Sequence, residues 1–193
     1  MKVAVIKYNA GNIHSVRLAL QRLGVDPLVT NDHETIRSAD KVIFPGVGEA
    51  SSAMENIRAN GIAELLPQLK QPVLGICLGL QLMCRYSEEN DTECLGIFDT
   101  AVRRFPPQEK VPHMGWNTID SLKGDLFSDI ASGSYVYFVH SYYAELSEYT
   151  VATTSYILPF SAALQKDNFY AVQFHPEKSG MVGEQILRNF LEI

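Results

Sequence analysis

The first half of the chain alternates short apolar runs with segments of helical period. "VAVIKY" (Val3 to Tyr8) is strand-like, and "NIHSVRLALQRLG" puts Ile13, Val16, Leu20 and Leu23 on one helical face with Gly24 as a stop. "PLVTN" reads as a second strand, and "KVIFPG" (Lys41 to Gly46) as a third, followed by the helical stretch "SSAMENIRANGIAELLPQL". "PVLGIC" is a fourth strand, followed by helical "LGLQLMCRYS". Strand and helix taking turns predict an α/β fold: a mostly parallel central sheet flanked by helices, with a site at the carboxyl ends of the strands. The second half changes period. "AVRRF", "HMGWNTI", "SYVYFVHSYYAEL", "TVATTSY" and "SAALQKDNFYAVQFH" are short, aromatic and β-branched, a strand-rich addition to the same sheet or beside it. "SGMVGEQILRNFLEI" closes the chain as an amphipathic helix with Ser179 as its cap. No repeat, low-complexity stretch or linker divides the sequence, so one domain over residues 1–193 is expected.

Composition narrows the partners. The 46% hydrophobic and 20% charged content is globular, and the net charge of -6 has no basic run to offset it, which argues against nucleic acid or an anionic membrane surface. The apolar run in "MKVAVIKYNAGN" is too short for a signal peptide or a membrane span. Three cysteines without Cys-x-x-Cys spacing suggest neither disulfides nor structural zinc, and a reduced, cytoplasmic setting fits them. Cys84, seven residues after Cys77 on the same expected helix, reads as core; no metal or organic cofactor is called for.

The chemistry starts at "VLGICLGLQLM". A buried strand ending at Cys77 between Gly75 and Gly79 has the form of a nucleophile elbow, in which small neighbours permit a sharp strand-to-helix turn. A helix N-terminus there favours thiolate, and the Leu78 N–H would face a developing oxyanion. On this motif alone, a cysteine simply buried at a strand end reads equally well.

A nucleophile needs a base. His14 and His33 read as surface, and His113 and His140 as satisfied, half-buried residues of the aromatic strands. His175 differs: in "YAVQFHPEKS" it ends a strand, with Glu177 two residues on, so that extended backbone projects both side chains to one side. The carboxylate can then take the Nδ1 proton and leave Nε2 free as a base, which is the logic of a catalytic triad. "FPGVGEAS" adds a Gly-x-Gly turn after the third strand. It lacks the Lys-Ser/Thr of a phosphate loop, whereas Gly46, Val47 and Gly48 could bring backbone N–H groups beside the elbow.

In this order and at these distances, "PGVG", "GICLGLQLM" and "QFHPEKS" resemble the class I glutamine amidotransferases with a Cys-His-Glu triad. "VPHMGWN" (Val111 to Asn117), "YFVHSY" (Tyr137 to Tyr142) and "GNIHSVRLAL" narrow the resemblance to the glutaminase subunits of imidazole glycerol phosphate synthase, in histidine biosynthesis. The resemblance implies a flavodoxin-like architecture and a reaction in which Cys77 attacks the side-chain amide of L-glutamine, His175 moves the protons and Glu177 orients His175. It also implies an oxyanion held by Leu78 and the Gly46 to Gly48 loop, and a substrate held by Gln81, Glu89, Ser141 and Tyr142. Its implied partner is a (β/α)8-barrel cyclase subunit that receives the ammonia, met at Asn12, Met114, Trp116 and Lys178. Two places depart from the family pattern: Glu49-Ala50 after "PGVG", and Lys7-Tyr8-Asn9 before "GN". A stand-alone cysteine hydrolase, a catalytically silent subunit and a glutaminase of another pathway stand as alternatives.

Overall fold

In the computed structural model, which describes residues 1–8 and 12–193, the apolar runs of the first half become strands, buried on both faces except at the edge strand Leu28–Thr30, where Leu28 is exposed. They are β1 (Val3–Ile6), β2 (Leu28–Thr30), β3 (Lys41–Gly46) and β4 (Val73–Cys77). Between them lie α1 (Ile13–Arg22), α2 (His33–Arg37), α3 (Ala50–Ala59) and α4 (Ile62–Leu65). The single long helix expected after β3 is divided at Gly61, whose φ of 68° takes the chain out of α3. Asn9 and Gly11, part of two sequence blocks singled out above, lie outside the described residues.

After β4, helix α5 (Leu78–Met83) has six residues, shorter than its periodicity predicts. Cys84 instead opens β5 (Cys84–Ser87) and pairs in parallel with Phe98 of β7 (Phe98–Arg104), while β6 (Thr92–Glu93) lies on the other side of β5. Cys84 is fully buried, so it is core as expected, but on a strand rather than on the helix of Cys77. The aromatic second half supplies β8 (His113–Ile119), β9 (Ser134–His140), β10 (Tyr142–Ala144), β11 (Thr150–Tyr156), β12 (Leu158–Lys166) and β13 (Phe169–Val172), then α6 (Gly180–Glu192).

Among the described residues a seven-stranded sheet runs β11-β12-β13-β4-β3-β1-β2. Its β13-β4-β3-β1-β2 portion is parallel and its β11-β12-β13 end antiparallel. The strand-rich half both extends this sheet and builds beside it: β10-β7-β5-β6 and β8-β9 are separate sheets. Side-chain alternation divides the core. Ala4, Ile6, Val42 and Phe44 pack on the α3 and α5 side, and Val3, Val5, Ile43, Leu74 and Ile76 on the α1 and α6 side. Fully burying one such side chain contributes roughly 1.5–3 kcal/mol. No helix of the described residues is long and apolar enough to cross a membrane.

The sheet order puts β4 at the centre of the parallel portion, between β3 and β13. Gly46 therefore lies opposite Cys77, and Val172, three residues before His175, lies opposite Ile76. Gly46 and Val172, 126 positions apart (172 − 46), thus flank the carboxyl end of β4 from either side.

Candidate active site

Cys77 ends β4 with φ 53° and ψ -106°, a backbone conformation that a side chain-bearing residue rarely adopts. Such a residue costs on the order of 1–3 kcal/mol and persists only where its surroundings impose it. Here they do. A Cβ on Gly79 would collide with the Phe44 carbonyl of β3, and one on Gly75 with the Met83 sulfur, so both glycines permit α5 to fold back tightly over the strand end. The elbow read from the sequence is present, with Cys77 6% exposed and Leu78 opening the helix, where first-turn N–H groups lack helical partners.

His175 and Glu177 meet, though by a different route from the expected one. His175 lies three residues beyond the end of β13, and Pro176–Lys178 form a turn of 3-10 helix rather than extended strand. That turn brings His175 Nδ1 to 2.8 Å from Glu177 Oε1, with both side chains 1% exposed. Two bonds lace it to β9: His175 N–H donates to the Tyr137 carbonyl at 2.9 Å, and Tyr137 N–H donates to Ser179 Oγ at 2.9 Å. Ser179 occupies the cap position of α6, yet its hydroxyl donates to the His175 carbonyl at 2.6 Å instead of capping the helix. His175 Nε2 is buried and closes no hydrogen bond among the described residues. Burial opposes charge on this ring, but neighbouring Cys77 and Glu177 outweigh it and hold its proton affinity above the ordinary value.

A cavity of about 310 Å³ opens at Cys77. Val47, Gly48, Leu78, Gln81, Glu89, Ser141 and Tyr142, all singled out from the sequence, line it with Cys77. Gly46 does not. It borders an adjoining crevice with Asn12, His175 and Glu177, and Val47 touches both spaces. Glu89 accepts the Ala50 N–H at 2.8 Å, and burial raises its proton affinity against that bond, with Glu49 adding to the rise. Gln81 donates to the Tyr142 carbonyl at 3.0 Å and to Gln173 Oε1 at 3.1 Å, which leaves Oε1 as the atom it can offer a ligand.

Glu49, the departure after "PGVG", has a structural use. Its carboxylate accepts from Ser51 N–H at 2.8 Å and Ser52 N–H at 3.0 Å, capping α3, and from Asn90 Nδ2 at 2.7 Å, tying down the loop that carries Glu89. The Ser51 hydroxyl and these backbone donors lower its pKa to about 2. Tyr8, in the other departure, donates to the Pro45 carbonyl at 2.7 Å beneath the loop.

Sequence reasoning missed three lining or supporting groups. His113 and His140, expected half-buried, are fully buried cross-strand partners with Nδ1 of the first 3.1 Å from Nε2 of the second. Tyr156 and Phe138 stack on His113 at 4.2 and 5.0 Å, and burial pushes the two histidines down to about 4 and about 3. Gln173, 0% exposed, reaches Cys77 Sγ with Nε2 at 3.7 Å. A glutamine inside "YAVQFH" was the one available signal, an amide where a strand otherwise carries apolar side chains.

Outside the cavity, Met114 and Trp116 project from β8 at 56% and 55% exposure, so Trp116 is no core aromatic. Trp116 stands edge-on to Tyr137, and the exposed Lys178 ammonium lies 5.9 Å from that ring. Asn12 is half-buried in the crevice of Glu177.

Residues 4–193 match the family described as glutamine amidotransferase class-I. A curated relative, imidazole glycerol phosphate synthase subunit HisH of Bacteroides fragilis, is 64% identical over 196 residues covering 100% of both chains. The Escherichia coli K12 protein of the same name is 45% identical over 196 residues, again 100% of both. Among solved structures, one titled a glutamine amidotransferase superposes with a TM-score of 0.78 at 20% identity, covering 100% of this chain and 98% of that one. PurLQS from Thermotoga maritima gives a TM-score of 0.75 at 16% identity, covering 99% and 97%. These two speak for the fold alone.

Proposed function

From the premise that the chain belongs to the class I glutamine amidotransferases, with HisH subunits matching it end to end, we propose that it is the glutaminase subunit of an imidazole glycerol phosphate synthase. The observation that carries the reading is the buried His175–Glu177 pair at 2.8 Å beside a cysteine held at a strained elbow. Glu177 accepts the hydrogen bond of Nδ1–H and so fixes Nε2 as the basic nitrogen, the atom that closes no hydrogen bond among the described residues. His175 takes the thiol proton as Cys77 Sγ attacks the side-chain amide carbon of glutamine. The tetrahedral oxyanion is held by the Leu78 N–H and by Val47 and Gly48, the part of the loop that lines the cavity, where removing one donor typically raises a barrier by about 3–4 kcal/mol. His175 then protonates the departing nitrogen, ammonia leaves, and water hydrolyses the thioester to glutamate with His175 as base once more. Glu89, Ser141, Tyr142 and the Oε1 of Gln81 hold the amino acid end of the substrate.

Ammonia in neutral water is mostly ammonium, which carries no lone pair, so its release is useful only next to the enzyme that consumes it. The partner in this reading is a (β/α)8-barrel cyclase docked on Asn12, Met114, Trp116 and Lys178. The exposure of Met114, Trp116 and Lys178, and the adjacency of Trp116 and Lys178 around Tyr137, support that face, while Asn12 lies half-buried. Met181, 88% exposed at the start of α6, extends it. Three free, buried cysteines support a reducing, cytoplasmic location.

The test separates ammonia production from its use. Cyclase complexed with the Cys77→Ala chain should form imidazole product from added ammonium at the wild-type rate and none from glutamine. Glutamine-dependent product from that variant overturns the assignment.

A further inference from the structure

Seven polar groups form one chain of hydrogen bonds whose direction can be read from its fixed ends. The Tyr142 carbonyl is an acceptor only, and two side chains meet it: His140 through Nδ1 at 2.7 Å and Gln81 through Nε2 at 3.0 Å. On one side, His140 Nδ1 must carry the proton, so Nε2 accepts and His113 must donate from Nδ1 at 3.1 Å. His113 Nε2 then accepts from Asn117 Nδ2 at 3.4 Å. Both rings are thereby neutral single tautomers, as burial dictates. On the other side, Gln81 shows its amino group to Gln173, so Gln173 must present Oε1 to it, at 3.1 Å. Flipping Gln173 would set two amino groups face to face. Its own amino group is left pointing at Cys77 Sγ, 3.7 Å away.

We infer that Gln173 is a positioning residue for the nucleophile, an amide donor locked toward Cys77 Sγ by Gln81 and the Tyr142 carbonyl. The inference rests on the glutaminase reading of the site. A donor aimed at sulfur stabilises thiolate over thiol and restricts where the sulfur sits. The Val139 carbonyl, 3.9 Å from Sγ, works the other way, since it can hold only the thiol proton. When that proton moves to His175, the Val139 contact is lost and the Gln173 donor remains, so the balance shifts toward the attacking form. Gln173 is 0% exposed and does not line the glutamine cavity, so this role runs through Cys77, while Gln81 keeps its bond to the Tyr142 carbonyl whatever stands at position 173.

The experiment is alkylation of Cys77 by iodoacetamide across pH, followed by mass spectrometry, in wild type, Gln173→Met and Gln81→Met. Steady-state glutaminase kinetics of the cyclase complex accompany it. The other ionisable groups around Cys77 are His175 with Glu177 behind it, His140 of β9, Glu89 and Tyr142 in the cavity wall and Tyr8 after β1, and all are unchanged in these variants. Gln173→Met keeps length and volume but has no donor. It should be alkylated about tenfold more slowly at pH 7, with the deficit closing in alkali, and should lose about tenfold in kcat with a much smaller change in KM, as expected when a charge-assisted donor to the nucleophile is removed. Gln81→Met leaves Gln173 in place but unlocks it, and should show a smaller alkylation deficit of the same form. A merely structural role moves neither pH profile. Profiles of the two variants coincident with wild type overturn the inference, and if Gln173→Met fails to fold, the Gln81→Met profile alone decides. Alkylation requires neither glutamine nor partner: a wild type that hydrolyses no glutamine ends the glutaminase reading, while a surviving alkylation deficit still supports Gln173.

Discussion

Glu177 shows how much one side chain must do by geometry alone. Its carboxylate, 1% exposed, has Oε1 on His175 Nδ1, and Oε2 has no hydrogen-bond partner among the described residues. Glu177→Gln keeps the shape but can present an amide N–H to His175, favouring the tautomer whose Nε2 proton blocks base action. The account predicts a kcat loss of roughly 10²–10⁴-fold at nearly unchanged KM, read from steady-state glutamate release. The elbow at Cys77 and the pairing of His175 with Glu177 were legible in the sequence because each sits in a local signature, a cysteine between glycines and a His-x-Glu. Gln173 was not, since its partners Gln81 and Tyr142 lie far along the chain and only the sheet order brings them together.

Elements were legible where one period held from end to end. α1, β3, β4 and β8 fall where the apolar pattern puts them. The pattern failed at α5, because "LMCRYS" continues a helical period while the pairing of Cys84 with Phe98, a strand away in sequence, claims those residues for β5. It failed also at His175, where Pro176 starts a 3-10 turn that no alternation anticipates. α3 supplies a prediction. Glu49→Ala removes its side-chain cap and the Asn90 link, and should lower stability by about 1 kcal/mol in denaturant titration at pH 7. The Glu49 pKa is depressed to about 2 in the fold, so this contribution is present above about pH 4.5 and fades as pH falls toward 2. The wild-type and Glu49→Ala stabilities should therefore converge in acid, and KM for glutamine should rise as the Glu89 loop loosens.

At the scale of the molecule, the alternating first half announced a parallel sheet, but the division of the second half among three sheets is set by pairings between distant strands and could not be read locally. The proposed docking face rests on resemblance, and the exposure of Met114 and Trp116 is what such a face requires. Trp116→Ala should leave the melting temperature of the isolated chain unchanged, because the ring is 55% exposed, while weakening cyclase binding by about 30-fold or more in calorimetric titration, as for an aromatic anchor contributing at least 2 kcal/mol. The most direct measurement is glutamate release from glutamine by wild type and Cys77→Ala, each alone and with a cyclase subunit carrying its nucleotide ligand. The account predicts release by wild type in the complex and none by Cys77→Ala in either state. Glutamine left intact by the wild-type complex, or hydrolysed equally by Cys77→Ala, would contradict it.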